Sequence, residues 1–73
     1  VKDSPKYRDG WIYLGYAYLQ KKDTGNALKS LEKARDLDPV NSYTWQLLGL
    51  TYQMAGDNNK AQEALAKAGL LKK

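Results

Sequence analysis

The sequence predicts an all-α fold of antiparallel helix-turn-helix repeats, four helices arranged as two like units. Three observations carry this prediction. The chain matches itself at a shift of 34 residues, each period holds apolar stripes of helical spacing, and turn-forming residues fall where the stripes break.

At that shift, eleven of 39 comparable pairs are identical, well above chance. The matched pairs are Pro5/Pro39, Trp11/Trp45, Leu14/Leu48, Gly15/Gly49, Tyr18/Tyr52, Asp23/Asp57, Ala27/Ala61, Leu31/Leu65, Lys33/Lys67, Ala34/Ala68 and Leu37/Leu71. Most are apolar or small, as a repeated packing scheme requires.

Trp11, Leu14, Gly15 and Tyr18 fall at i, i+3, i+4 and i+7, and Trp45, Leu48, Gly49 and Tyr52 repeat them. A second stripe at Ala27, Leu31, Ala34 and Leu37 is echoed by Ala61, Leu65, Ala68 and Leu71. The stripes predict amphipathic helices over 8–21, 25–37, 42–55 and 58–71. Asp23-Thr24-Gly25 and Gly56-Asp57-Asn58 supply turn and capping groups between them, and Pro39, lacking an amide donor, stops the second helix. Turns this short lay neighbouring helices antiparallel. Gly15 and Gly49 cost helix propensity yet sit inside the stripes, which points to helices approaching too closely for a larger side chain.

Length and composition narrow the function. Seventy-three residues, 42% hydrophobic and 27% charged, make one small folded unit and not a disordered segment. Cysteine and histidine are both absent, which excludes disulfides, thiol chemistry and the common transition-metal sites. The longest uncharged apolar-rich stretch, Trp11 to Leu19, is too short to cross a bilayer, so no membrane insertion is expected. The net charge of +4 comes from scattered lysines and arginines, with only Lys21-Lys22 and Lys72-Lys73 adjacent, and reads as solvated helix ends. The chain opens on Val1 without a leader pattern, as a piece cut from a longer protein would.

These residues resemble the tetratricopeptide repeat, whose pattern is W-x2-L-G-x2-Y, then A-x3-F, an alanine and a closing proline in a 34-residue unit. Repeat one, 8–41, carries Trp11, Leu14, Gly15, Tyr18, Ala27, Leu31, Ala34 and Pro39. Repeat two, 42–73, carries Trp45, Leu48, Gly49, Tyr52, Ala61, Leu65 and Ala68. The resemblance makes these fifteen residues the structural repeat core and implies a short right-handed α-solenoid. Residues 1–7 correspond to the tail of a preceding unit or a linker, because Pro5 aligns with Pro39. Leucine replaces the aromatic at 31 and 65, a conservative change in a core place. Lys22 stands in repeat one where the turn glycine of repeat two is Gly56, so the first turn is expected to differ in shape.

The resemblance also implies a binding surface. In this family the first helix of each pair lines a concave groove, which here assigns Asp9, Ile12, Tyr16, Leu19 and Gln20 from the first unit. From the second it assigns Tyr43, Gln46, Leu50, Gln53 and Met54. Several are large and apolar, so their exposure would mark a protein-contact patch. Some members grip a peptide's terminal carboxylate with lysines and asparagines, but Ile12, Tyr16, Gln46 and Leu47 stand where those would be sought. A partly apolar peptide, helical or extended, fits better.

Catalysis is not expected. The acidic residues Asp3, Asp9, Asp23, Glu32, Asp36, Asp38, Asp57 and Glu63 lie at helix starts, turns and outer faces, and Gly10, Gly15 and Gly25 do not follow a phosphate-loop spacing. No cofactor or metal site is read from the sequence. The function expected is a non-enzymatic scaffold for a protein or peptide partner, soluble, with the cytoplasm as the default compartment. The alternatives are a structural unit that forms homo-oligomers by stacking its repeat ends, and an RNA-binding helical repeat. The RNA reading is the weakest, because only Lys33/Lys67 recurs as a basic pair.

Overall fold

The computed structural model describes the backbone of residues 5–71 and the side chains of residues 8–71. Four helices follow in order: α1 (Pro5–Gln20), α2 (Thr24–Leu37), α3 (Ser42–Met54) and α4 (Asn58–Leu71). The first begins at Pro5, ahead of the predicted start, because proline suits a first helical turn where no amide donor is needed. Residues 5–7, expected in a preceding tail, therefore belong to α1, while residues 1–4 lie outside the described residues.

Side-chain caps start three of the helices. Asp23 accepts from the Asn26 amide at 3.3 Å, Asn41 from the Thr44 amide at 2.9 Å, and Asp57 from the Lys60 amide at 3.1 Å.

The two intra-repeat turns are alike, contrary to the difference expected from Lys22. Lys22 takes φ 61° and Gly56 φ 87°, both left-handed. The Asp23 amide donates to the Tyr18 carbonyl at 2.8 Å and the Asp57 amide to the Tyr52 carbonyl at 2.9 Å. The Lys22 and Gly56 amides donate to the Leu19 and Gln53 carbonyls at 2.9 and 3.0 Å, completing the same Schellman closure. Lysine is forced into a conformation that glycine adopts freely, because the helix pair on either side fixes the turn.

Packing explains the stripe glycines. A Cβ built on Gly15 would lie 2.6 Å from Leu31 Cγ, and one on Gly49 would lie 2.6 Å from Leu65 Cγ. The same close approach thus joins α1 to α2 and α3 to α4. Beyond these pairs, α2 packs on α3 and α1 touches α3, whereas α4 packs backbone to backbone only on α3. The result is a slab of 36 × 29 × 14 Å.

Ile12, Leu19, Ala27, Leu31, Ala34, Leu47, Leu48 and Ala64 form the core cluster, with Trp11, Tyr18, Leu28, Trp45 and Tyr52 half-buried against it. Each fully buried leucine contributes about 1.5–3 kcal/mol through area removed from water. Thr44, Leu48 and Thr51 form the side of α3 buried against the first repeat, and the Thr51 hydroxyl is satisfied by the Leu47 carbonyl at 2.7 Å. Among the described residues, no buried side-chain polar atom lacks a partner.

Three expected core positions are not enclosed. Leu14 is 41% exposed and Leu65 39%, because no described helix covers those sides of α1 and α4. Pro39 is also exposed, though its carbonyl accepts the Trp45 indole Nε1–H at 2.7 Å and so fixes that ring.

Candidate functional site

Residues spaced three, four and seven apart share one side of a helix. Asp9, Ile12, Tyr16, Leu19 and Gln20 are so placed on α1, and Tyr43, Gln46, Leu50, Gln53 and Met54 on α3. Tyr16 and Tyr43 are 46% and 48% exposed, and Leu50 and Met54 are exposed to a similar degree. Gln20 and Gln53 are exposed beside them, and Gln46 is half-buried.

Two of the ten candidates are removed from solvent. Ile12 and Leu19 retain only 4% and 7% exposure, because α1 leans on α3 and both side chains join the cluster that holds Leu47. They belong to the core, not to a contact surface.

Asp9 is half-buried and already engaged. Arg8 donates from Nη2 and Nε to Asp9 Oδ1 at 2.7 and 3.0 Å, and from Nη1 to Asp38 Oδ2 at 2.7 Å. The hydrogen bonds to Asp9 and then Asp38 raise the Arg8 pKa further, so the guanidinium is a fixed charge at every physiological pH. This fork ties the start of α1 to the loop after α2. The sequence pattern did not reveal it, since Arg8 and Asp38 lie thirty residues apart and neither recurs at the repeat shift.

The exposed face thus consists of two tyrosines, a leucine, a methionine and glutamine amides. It can offer apolar contact, phenolic hydroxyls and hydrogen-bonding amides. No group of three acidic side chains that could hold a metal ion exists among the described residues. No described helix is long and apolar enough to cross a membrane.

Paired helices that meet through the same glycine-leucine contact in two successive 34-residue periods define an α-helical repeat protein. The chain belongs to the tetratricopeptide repeat family: models described as tetratricopeptide repeat match residues 8–39 and 29–63. Family and fold make it a protein-interaction scaffold. It is 31% identical over 67 residues to the peroxisomal targeting signal receptor of Komagataella phaffii, covering 92% of this chain and 12% of that protein. The receptor of the same name from Saccharomyces cerevisiae is also 31% identical over 67 residues, covering 92% of this chain and 11% of the receptor. The type IV pilus assembly protein PilF of Pseudomonas aeruginosa is 33% identical over 67 residues, covering 92% of this chain and 27% of PilF. The chain thus spans about a quarter or less of the length of these relatives.

Proposed function

We propose that the exposed side of α1 and α3 holds a peptide or protein segment of another molecule, without catalysis. The observation that carries this reading is the exposure of Tyr16, Tyr43, Leu50 and Met54 on one side of two adjacent first helices. Solvent gives no reason for four large apolar side chains there, whereas a partner that covers them removes their apolar area from water. Gln20, Gln46 and Gln53 supply polar contacts at the margin, and Asp9 acts mainly by holding Arg8. The ligand chemistry that fits is a partly apolar segment. The names of the relatives, a receptor for a targeting signal and a pilus assembly protein, agree with a binding role.

The test is affinity capture by this protein, comparing its native sequence with Tyr16→Ala/Tyr43→Ala. Loss of the captured partner with unchanged helical circular dichroism is the expected result. Undiminished capture would sink the proposal.

A second reading rests on the ends of the slab. Tyr13 and Leu14 on α1 and Leu65 and Leu70 on α4 are exposed, and the first three correspond by position to Leu47, Leu48 and Leu31, which the junction between repeats buries. Copies of the chain could stack through these ends as the two repeats stack on each other. Sedimentation equilibrium over a wide concentration range tests this, and a monomer at the highest concentration removes it.

A further inference from the structure

On the opposite side of α3 from the tyrosine-bearing face lies a second recess. Trp45 follows Tyr43 by two residues and Tyr52 follows Leu50 by two, so each aromatic lies about 160° around α3 from the residue it follows, at 100° per residue. Arg35, Trp45, Tyr52, Lys60, Glu63, Ala64 and Lys67 line this cleft of about 350 Å³.

The cleft is organised by charge over aromatic rings. Arg35 Cζ lies 6.0 Å from the Trp45 ring centroid, Lys67 Nζ lies 5.8 Å from the same ring, and Lys60 Nζ lies 5.8 Å from the Tyr52 ring. The indole is held by its hydrogen bond to the Pro39 carbonyl, and buried Ala64 contributes to the wall between the lysines. Neither Lys60 nor Lys67 forms an ion pair with a carboxylate among the described residues, and Arg35 is shared with exposed Asp36 at 3.2 Å. Within the lining of the cleft, three cations stand with one carboxylate, Glu63, while Asp36 pairs with Arg35 from outside it. The first repeat does not reproduce the arrangement, because Asn26 and Lys29 stand in the places of Lys60 and Glu63.

We infer that this cleft is a second binding site, distinct from the tyrosine-bearing face, for an acidic peptide segment with an apolar side chain between two carboxylates. Lys60 and Lys67 are seven residues apart on α4, about 10.5 Å along the helix, which matches the roughly 9 Å spanned by three residues of a polyproline II segment, whose side chains at i and i+3 share one side. Carboxylates at that spacing meet one lysine each, with Arg35 beside the second at Trp45. The side chain between them lies on the indole, the phenol ring and Ala64. Glu63 opposes the same ligand, which limits affinity and selects for acidic segments held at both lysines.

The probe is a fluorescein-labelled decapeptide of glycine and serine that contains the run glutamate-leucine-glycine-glutamate. Its anisotropy is followed on adding the 73-residue chain at about 0.15 M salt, where the Debye length is about 8 Å. Lys60→Glu/Lys67→Glu should weaken binding about tenfold or more. Lys21→Glu/Lys29→Glu, an equal charge change on exposed residues outside the cleft, should weaken it by less than about threefold. Glu63→Gln should tighten binding about two- to fivefold, an effect that lost folding could not produce. Circular dichroism confirms that each variant keeps its helices. Equal weakening by the two double variants, no tightening in Glu63→Gln, or displacement of the peptide by a stoichiometric thymidine oligonucleotide would each overturn the inference.

Discussion

The two repeats carry the same packing residues but do not bury them alike. Leu31 is fully enclosed while its counterpart Leu65 is 39% exposed, and Leu48 is fully enclosed while its counterpart Leu14 is 41% exposed. Each enclosed leucine lies at the α2–α3 junction, and each exposed one lies on the far side of its own helix pair. The glycine contact inside each pair is unchanged, since the hypothetical Cβ approaches Leu31 Cγ and Leu65 Cγ equally. Residue identity therefore sets the fit within a unit, and neighbouring units set how much that fit stabilises.

The sharpest way to break the comparison is to truncate the paired leucines. Leu31→Ala should cost about 3–4 kcal/mol, from lost transfer energy and a cavity that cannot collapse, and Leu65→Ala about 1 kcal/mol. Urea unfolding followed by circular dichroism measures both, and equal costs would remove the junction as the cause.

The glycines sharpen it further. Gly15→Ala pushes a methyl into an immobile Leu31 and should destabilise by about 1–3 kcal/mol despite alanine's better helix propensity. At Gly49 the facing Leu65 can swing toward solvent, so Gly49→Ala should fall within about 1 kcal/mol of the native chain, with the Ala61 carbonyl at 3.3 Å as the remaining obstacle. Thermal melts of the two variants should separate clearly.

A smaller effect tests the turns. Lys22→Gly relieves a left-handed lysine and should stabilise by about 0.5–1 kcal/mol, whereas Gly56→Lys should destabilise by a similar amount. If the first turn had its own shape, the two changes would not mirror each other.

The smallest effect belongs to the Arg8 fork, which only the first repeat has. Arg8→Ala should cost about 0.5 kcal/mol, discounted because the paired groups are partly solvated, and less in 1 M salt. Because the Arg8 pKa is raised, its contribution is fully present below the unfolded arginine value and is lost only in strongly alkaline solution. Melting temperatures of the native chain and the variant should therefore keep a constant offset from pH 6 to 9, values chosen for the assay.

Much of the fold was legible because it is periodic. The stripes located four helices, the aspartates located two caps, and the glycines announced the close contacts. What escaped depends on how helices lean on one another. Ile12 and Leu19 read as groove residues on their own helix and became core once α1 met α3. Leu14 and Leu65 read as core because their stripe cannot say whether another helix lies beyond them. Lys22 hid a turn that tertiary packing imposes, and the Arg8–Asp38 pair and the Arg35–Trp45–Lys67 cluster join residues no local pattern links.

Because the backbone of α4 packs only on α3, with α2 reaching α4 through side chains such as Arg35, its detachment breaks one backbone-level helix interface, while freeing α2 or α3 breaks at least two. Transient opening should then begin at the last helix and leave the middle pair for the end, as a zip parts from one side. The cleft shared by α3 and α4 would vanish in the first step, and an occupant bridging those helices would act as a clasp on the part of the molecule that loosens soonest.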